Sequence, residues 1–211
     1  MPDFGFWGWP SVGLNSYAEL QSILDENEDD FLDKIPKLVW RGALAVAAKD
    51  MRQALLKESE SQVWSHVRTI VWKNETNVKE TLISMQDHCD YMFVVETEGN
   101  TYSGRLKYLL NCHSIVMSYD LYWIEHFHHL LRSSGKEQNY VKLRRDFSDP
   151  PKTMNRLLYP STPPGYGQTH RQQRPAYISR ALSHTGSGSL LLACSYTRMG
   201  ECARLYATTL G

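Results

Sequence analysis

One glycine-containing turn gathers the residues best suited to binding chemistry. It runs from Glu98 to Tyr108 and follows an apolar run, Tyr91–Val95, that predicts a buried strand. Leucines at helical spacing come next, so the turn joins a strand to the start of a helix. Ser103 is expected to cap that helix and Arg105 to lie in its first turn. Free backbone N–H groups, a partial positive charge and an arginine together favour a phosphate. We therefore predict that this turn holds the diphosphate of an activated donor.

A second cation follows another predicted strand. Arg41-Gly42 comes directly after the apolar run Ile35–Trp40, and a glycine there lets a ligand approach the backbone closely. In parallel sheets, ligands bind at the carboxyl ends of strands, where both this arginine and the turn fall. The alternative for Arg41 is a structural arginine paired with a nearby acid. Lys107 stands three residues after Gly104, so the turn is not the phosphate loop of a nucleoside triphosphatase.

Three histidines near the middle of the chain raise the question of a metal site. His126 and His129 would share one face of a helix, with His128 beside them, but the spacing is not that of H-E-x-x-H. A structural or catalytic zinc needs at least three protein ligands, and no third strong ligand is in view. We therefore expect surface or half-buried histidines and no metal. Elsewhere, Asn74-Glu75-Thr76 has the pattern of an N-glycosylation site, which is a weak signal by itself.

Charge and length exclude several classes of protein. The 211 residues carry 23 basic and 23 acidic side chains, a balance that favours neither nucleic acid nor an anionic membrane as a partner. No apolar run approaches the ~20 residues of a membrane span. The first residues also lack the basic and apolar segments of a signal peptide. The length suits one globular domain, or one and a half.

The four cysteines form no C-x-x-C pair, which argues against a zinc site. Cys89 precedes the strand that enters the turn, and Cys112 ends the helix that leaves it. In a strand–turn–helix hairpin these two positions return to the same end, so a disulfide is one outcome in an oxidising compartment. Two reduced, buried thiols are the other outcome, and the residues alone favour neither.

Strands and helices alternate along most of the chain. The five strand patterns lie at 35–40, 67–72, 91–95, 114–118 and 139–143. This order predicts βαβ units and an α/β fold, a Rossmann-like parallel sheet with flanking helices. We assign 35–158 to that domain and 1–34 to an aromatic lead-in segment. The remainder, 159–211, begins with a Pro/Gly break, is rich in Ser, Thr and Arg, and is expected to be poorly ordered.

Six short motifs stand in an order that is specific as a set, although none is decisive alone. They are Phe4-Gly5-Phe6-Trp7-Gly8-Trp9-Pro10, Ile35-Pro36-Lys37-Leu38-Val39-Trp40-Arg41-Gly42, Asp87-His88-Cys89, Tyr102-Ser103-Gly104-Arg105-Leu106-Lys107-Tyr108, Trp123 and Asp146-Phe147-Ser148-Asp149. In this order they resemble glycosyltransferase family 90, the family of the fungal capsule-associated proteins and the animal protein O-glucosyltransferases. The resemblance covers about residues 3–158 and is nearest to the fungal branch.

The resemblance implies one half of a GT-B fold, the C-terminal half that binds the donor. It implies inverting transfer of glucose or xylose from a UDP-sugar to a hydroxyl of a protein or glycan, with no required metal or other cofactor. The residues it assigns to the UDP-sugar are Arg41, Gly42, Asn100, Thr101, Tyr102, Ser103, Gly104 and Arg105. Two arginines would neutralise the leaving diphosphate in place of a metal. The resemblance also implies that Cys89 and Cys112 are paired.

The resemblance is incomplete at both ends. The family's catalytic base is an aspartate of the N-terminal half, so no catalytic residue is assigned here. A membrane anchor, if the parent protein has one, would also belong to that part, since the family works in the lumen of the ER or Golgi. The tail after Pro160 matches nothing in the family, and we interpret it as a frame change or a retained intron in the gene.

Two other functions fit parts of the sequence. One is a non-catalytic fragment or pseudoenzyme that binds a sugar nucleotide or a glycan, since the base is absent. The other, from a different class, is a dinucleotide-dependent oxidoreductase. No G-x-G-x-x-G follows a strand, which argues against the oxidoreductase.

Overall fold

Five parallel strands form the centre of the fold. The structure, a computed structural model, describes residues 4–10, 13–26, 31–135 and 138–159. The strands are β1 (Ile35–Gly42), β2 (Ser65–Thr69), β3 (Tyr91–Val95), β4 (Ile115–Ser118) and β5 (Val141–Lys142). They lie in the order β2-β1-β3-β4-β5, and every neighbouring pair is parallel. This confirms the predicted Rossmann-like α/β sheet.

Helices cover both faces of the sheet. They are α1 (Tyr17–Glu26), α2 (Lys49–Ser59), α3 (Glu75–Thr81), α4 (Leu106–Leu109) and α5 (Pro150–Leu158). Parallel sheets of this kind are buried on both sides, which is why β3, most of β4 and the central residues 38–40 of β1 are apolar. On one face Leu38 and Trp40 pack with Leu55 of α2 and Met154 of α5. On the other face Val39 packs with residues of α1 and α4.

The lead-in segment packs on the face of the sheet that α1 and α4 cover. Phe6, Tyr17 and Leu20 are buried in the same cluster as Val39 of β1. Burial of these aromatic side chains anchors the segment to the sheet by the hydrophobic effect. The glycine-rich start also leaves large rings in solvent, since Phe4 and Trp7 keep 82% and 73% of their surface exposed.

Several predicted boundaries shift in the structure. β2 ends at Thr69, because the chain then enters an exposed turn at residues 71–74 instead of continuing as a strand to position 72. The segment around the histidines forms only a 3-10 turn, His128–Leu130, so a regular helix there is wrong. α4 is four residues long. The tail that we expect to be poorly ordered lies, from position 160 onward, outside the described residues. Among the described helices, none combines the length and apolar character needed to cross a bilayer.

The strand order creates a crevice at one edge of the sheet. From β1 the chain crosses to β2 on one side, and it then returns to β3 on the other side of β1. The connections that leave the carboxyl ends of β1 and β3 therefore diverge. Such a switch point is where ligands bind in open parallel sheets.

Candidate functional site

Two side chains tie the loop after β1 to the loop after β3 at this switch point. Asn100 accepts a hydrogen bond through Oδ1 from the backbone N–H of Ala47, at 2.9 Å. Arg52, which projects from α2, donates from Nε to the carbonyl of Glu98 at 3.0 Å and from Nη1 to the carbonyl of Ala43 at 2.6 Å. These bonds satisfy loop carbonyls that lack sheet partners. The two loops therefore form one fixed rim.

Gly42 is required by the packing of a tryptophan. A Cβ atom at this position would lie 2.5 Å from the ring of Trp40, which is closer than van der Waals contact allows. The indole N–H of Trp40 donates to the hydroxyl of Thr97 at 2.9 Å, which holds the ring beneath the rim. The glycine thus accommodates a neighbouring side chain, whatever ligand contact it also makes.

Arg41 is buried, and its guanidinium points toward β2. It donates to the carbonyls of Thr81, Trp40 and His66, and Nη2 lies 3.1 Å from Nε2 of His66. Burial, followed by the charge of Arg41, lowers the pKa of His66 to about 4, so this ring is neutral and can accept a hydrogen bond. The structure brings Arg105 to the carbonyl of Arg41, but it does not bring the Arg41 guanidinium into the predicted turn.

Arg105 holds the predicted turn against β1. It is half-buried and donates from Nη1 to the carbonyl of Arg41 at 2.6 Å. The prediction that Ser103 caps the helix is wrong, because α4 begins at Leu106 with Arg105 as its N-cap and no side-chain cap bond. A four-residue helix supplies little dipole, so the positive potential here comes mainly from the guanidinium. Burial lowers the pKa of Arg105, and the nearby Glu96 carboxylate partly opposes that shift.

Glu96 is a buried acid at the carboxyl end of β3. Only 1% of its surface is exposed, and neither carboxylate oxygen has a partner at ordinary hydrogen-bond geometry within the described residues. Burial raises its pKa to about 7, although Arg105, the Ser103 hydroxyl and Arg52 each favour the ionised form. The neighbouring Glu125 raises the pKa further. Glu96 therefore titrates near neutral pH.

Glu98, two residues further on, fixes the loop after β4. One carboxylate oxygen accepts from the backbone N–H groups of Tyr122 and Trp123, at 2.8 and 3.1 Å. The other accepts from Nη2 of Arg145 at 2.6 Å. The Arg145 guanidinium also lies over the ring of Tyr122, 3.5 Å from its centroid. One buried carboxylate thus joins the exits of β3 and β4 to the segment after β5.

Two of the remaining residues of the turn face outward. Thr101 and Tyr102 are exposed, and Gly104 is half-buried. The carbonyl of Thr101 accepts from the N–H of Gly99 at 3.1 Å, which closes the turn tightly. Tyr102 and Trp123 line one narrow crevice between the turn and the loop after β4. The predicted turn residues therefore lie together at the carboxyl edge, where Thr101 and Tyr102 are exposed to solvent.

Comparison with known proteins identifies the family. The sequence model of Glycosyl transferase family 90 matches residues 1–149, which is well over half of the chain. The chain belongs to glycosyltransferase family 90. Two curated proteins named O-glucosyltransferase rumi homolog are similar to it: one from Anopheles gambiae is 25% identical over 142 residues, and one from Aedes aegypti is 25% identical over 147 residues. Each match covers 62% of this chain and 36% of the relative, so the chain spans little more than a third of their length.

A disulfide closes the opposite, amino edge of the sheet in this family 90 chain. Cys89 and Cys112 are bonded, with their Cα atoms 4.6 Å apart. The ammonium group of the buried Lys34 donates to the carbonyls of both cysteines, at 2.5 and 2.9 Å. The bridge thus links the entry to β3 with the end of α4, the two segments that flank the turn carrying Arg105.

The histidines of the family 90 chain do not converge on a metal. The ring of His129 contacts the carbonyl of His126, while Nε2 of His128 lies 3.4 Å from the carboxylate of Glu125. Among the described residues, no group of three or more potential ligands has a geometry that could hold a metal ion. The rings of His126 and His128 instead pack against Phe127, while His129 is exposed.

The sequence patterns did not identify two residues that lie at the carboxyl edge of the sheet. Arg52 lies in a polar stretch of α2, where its spacing does not distinguish it from a solvated helix arginine. Glu96 directly follows the buried strand β3, and this position could have identified it. A residue there lies at the carboxyl edge of the sheet, where ligands bind. The UDP-sugar roles assigned to Arg41, Gly42 and residues 100–105 remain predictions.

Proposed function

We propose that the carboxyl edge of this sheet binds the diphosphate of a UDP-sugar, and that the chain is the donor-binding part of an inverting glycosyltransferase. The observation that carries the proposal is an excess of poorly solvated positive charge. Arg41 and Arg52 expose 2% and 7% of their surface, and Arg105 is half-buried beside them. Burial lowers the pKa of all three guanidinium groups. An anion at this edge would offset that unfavourable burial.

The acids near these arginines do not balance their charge. Glu98 is already paired with Arg145 and with two backbone N–H groups. Glu96 is the carboxylate that acts on both Arg52 and Arg105, and its raised pKa leaves it partly protonated near neutral pH. Arg52 and Arg105 thus share one buried carboxylate that is partly protonated near neutral pH. A diphosphate has the charge and the acceptor oxygens that guanidinium groups bind best.

In the proposed reaction, Arg52 and Arg105 stabilise the leaving group. Negative charge builds on the UDP oxygens as the bond to the sugar breaks, and fixed cations that face this charge lower the barrier. We propose glucose or xylose as the sugar and a hydroxyl of a protein or glycan as the acceptor. The names of the two insect relatives favour glucose. No metal is required in this proposal, because the guanidinium groups supply the charge, and the disulfide supports an oxidising, secretory compartment.

The test is calorimetric titration of the full chain with UDP, UDP-glucose, UDP-xylose and NAD. We expect binding of UDP and at least one UDP-sugar, and no comparable binding of NAD. The decisive variant is Arg105→Gln, which removes the charge but keeps a polar side chain. Loss of a charge-assisted hydrogen bond is worth about 1.5–3 kcal/mol, so UDP affinity should fall by about 10- to 100-fold.

Arg156→Gln provides the matched control. Arg156 is exposed on α5, a helix that packs on the face of the sheet that includes Leu38 and Trp40. The same loss of charge at that position should leave UDP affinity unchanged. The proposal fails if UDP does not bind the folded chain, or if Arg105→Gln and Arg156→Gln bind it equally well.

A further inference from the structure

An exposed turn between β2 and α3 carries the one Asn-x-Ser/Thr pattern in the sequence, Asn74-Glu75-Thr76. All six residues from 71 to 76 are exposed. The turn is nevertheless fixed, since the N–H of Asn74 donates to the carbonyl of Val71 at 2.8 Å. The N–H of Val71 in turn donates to Oδ1 of Asn77 at 2.7 Å. The asparagine is thus presented on a defined, solvent-facing support.

The side chain of Asn74 uses only one of its two polar atoms in the fold. Asn74 is the N-cap of α3, and its Oδ1 accepts a hydrogen bond from the N–H of Asn77 at 3.0 Å. Within the described residues, no hydrogen bond involves its Nδ2. N-linked sugars are attached through that nitrogen, so a modified Asn74 would keep its cap. The fold therefore tolerates a glycan at this position.

The disulfide supplies an independent indication of the compartment. The bond between Cys89 and Cys112 is of a kind that forms and persists in the ER lumen and outside the cell, and it is rare in the cytosol. Asparagine glycosylation takes place on chains that enter the same compartment. The exposed sequon and the disulfide thus agree, although they depend on different residues.

We propose that Asn74 carries an N-linked glycan. In the reaction, Nδ2 of Asn74 attacks C1 of the first sugar of a polyprenyl-diphosphate-linked oligosaccharide. The C1–N bond forms as the C1–O bond to the diphosphate breaks. The amide proton passes to a base of the host transferase, and the polyprenyl diphosphate leaves with the electron pair. This modification does not depend on the UDP-sugar proposal.

The position of Asn74 gives the glycan a physical role. β2 is an edge strand of the sheet, and edge strands are the sites at which sheets of different molecules pair. Val71 and Trp72, which directly precede the sequon, expose 46% and 59% of their surface. A bulky hydrated glycan at Asn74 would cover this apolar turn and block approach to the edge strand.

The test uses the full chain, secreted from eukaryotic cells behind a cleavable leader and confirmed by peptide mapping to hold the Cys89–Cys112 bond. Mass spectrometry before and after peptide-N-glycosidase treatment should show one glycan, and the released protein should carry Asp at position 74. Thr76→Ala should abolish the glycan while it leaves the capping asparagine in place. Asn74→Asp should abolish it while it keeps a capping carboxylate.

Both variants should unfold at the same denaturant concentration as enzymatically deglycosylated wild-type protein, because each keeps the cap. The proposal is overturned if secreted, disulfide-bonded wild-type chain has an unmodified Asn74. It is also overturned if a glycan persists in Thr76→Ala, since the sugar would then be attached elsewhere.

Discussion

Replacement of Glu96 by glutamine should stabilise the protein at alkaline pH and have little effect in acid. Burial raises the pKa of Glu96 from 4.5 to about 7, so the folded state holds its proton more tightly than the unfolded state. Below pH 4.5 Glu96 is protonated in both the folded and the unfolded state, so it does not lower the free energy of unfolding. As the pH rises from 4.5 to 7, the unfolded chain ionises first and stability is lost. Above pH 7 the penalty reaches its full value of ~3 kcal/mol, at about 1.36 kcal/mol for each pKa unit.

The measurement is urea unfolding, followed by tryptophan fluorescence and extrapolated to zero denaturant, at several values between pH 4.5 and 8. Wild-type protein and Glu96→Gln should have similar free energies of unfolding at pH 4.5. The difference should grow through pH 6 and level off near pH 8, where the variant is more stable by ~3 kcal/mol. Arg105 keeps its hydrogen bond to the carbonyl of Arg41 in both proteins.

Glu80→Gln is the matched control, because Glu80 is exposed on α3 and its replacement changes no buried charge. Its effect on the free energy of unfolding should be small. A Glu96→Gln variant that is equally stable or less stable than wild type at pH 8 would refute the reasoning. That result would mean that attraction to Arg105 and Arg52 outweighs the burial of the carboxylate.

Three further predictions concern the carboxyl edge of the sheet and the disulfide at its opposite, amino edge. Gly42→Ala should lower the free energy of unfolding by about 1–3 kcal/mol, because its Cβ would meet the ring of Trp40 at 2.5 Å. Gly99→Ala, whose Cβ would make only ordinary contacts, is the control, and equal losses in urea unfolding would contradict this account. Reduction of the Cys89–Cys112 bond, which spans 23 residues, should lower stability by about 3 kcal/mol, and unchanged unfolding in reductant would contradict that. EDTA should leave UDP affinity unchanged in calorimetry, because arginines supply the charge, whereas loss of binding on chelation would indicate a metal.

The sheet was predictable because its strands have simple patterns. Tyr91–Val95 and the run that begins at Ile35 are short, apolar and rich in aromatic and β-branched residues, and both are strands in the structure. The second strand was shifted because Val71 and Trp72 are apolar but lie in an exposed turn. Hydrophobicity marks a buried strand only when a neighbouring strand and helix cover the side chain, and the sequence does not contain that information directly.

The position of the turn in the fold was predictable, but the contacts of its residues were not. The turn with Arg105 was found because a glycine-containing segment between a strand and a helix is a local pattern. The direction of the Arg41 guanidinium depends on His66 and the end of α3, which meet it only after β2 pairs with β1. Arg52 reaches the edge because α2 packs back across the sheet. Contacts of this kind depend on the tertiary fold and leave no periodic signal.

The network around Glu98 has a consequence for the dynamics of the loop after β4. Tyr122 and Ile124 expose 75% and 73% of their surface, yet the backbone N–H groups of Tyr122 and Trp123 are bonded to Glu98, and the Arg145 guanidinium lies over the Tyr122 ring. Fixing a mobile backbone costs about 1–2 kcal/mol for each residue, and here folding has already met that cost. A molecule that touches this loop would therefore meet an apolar surface that is ordered in advance, and contact would require no loss of loop entropy.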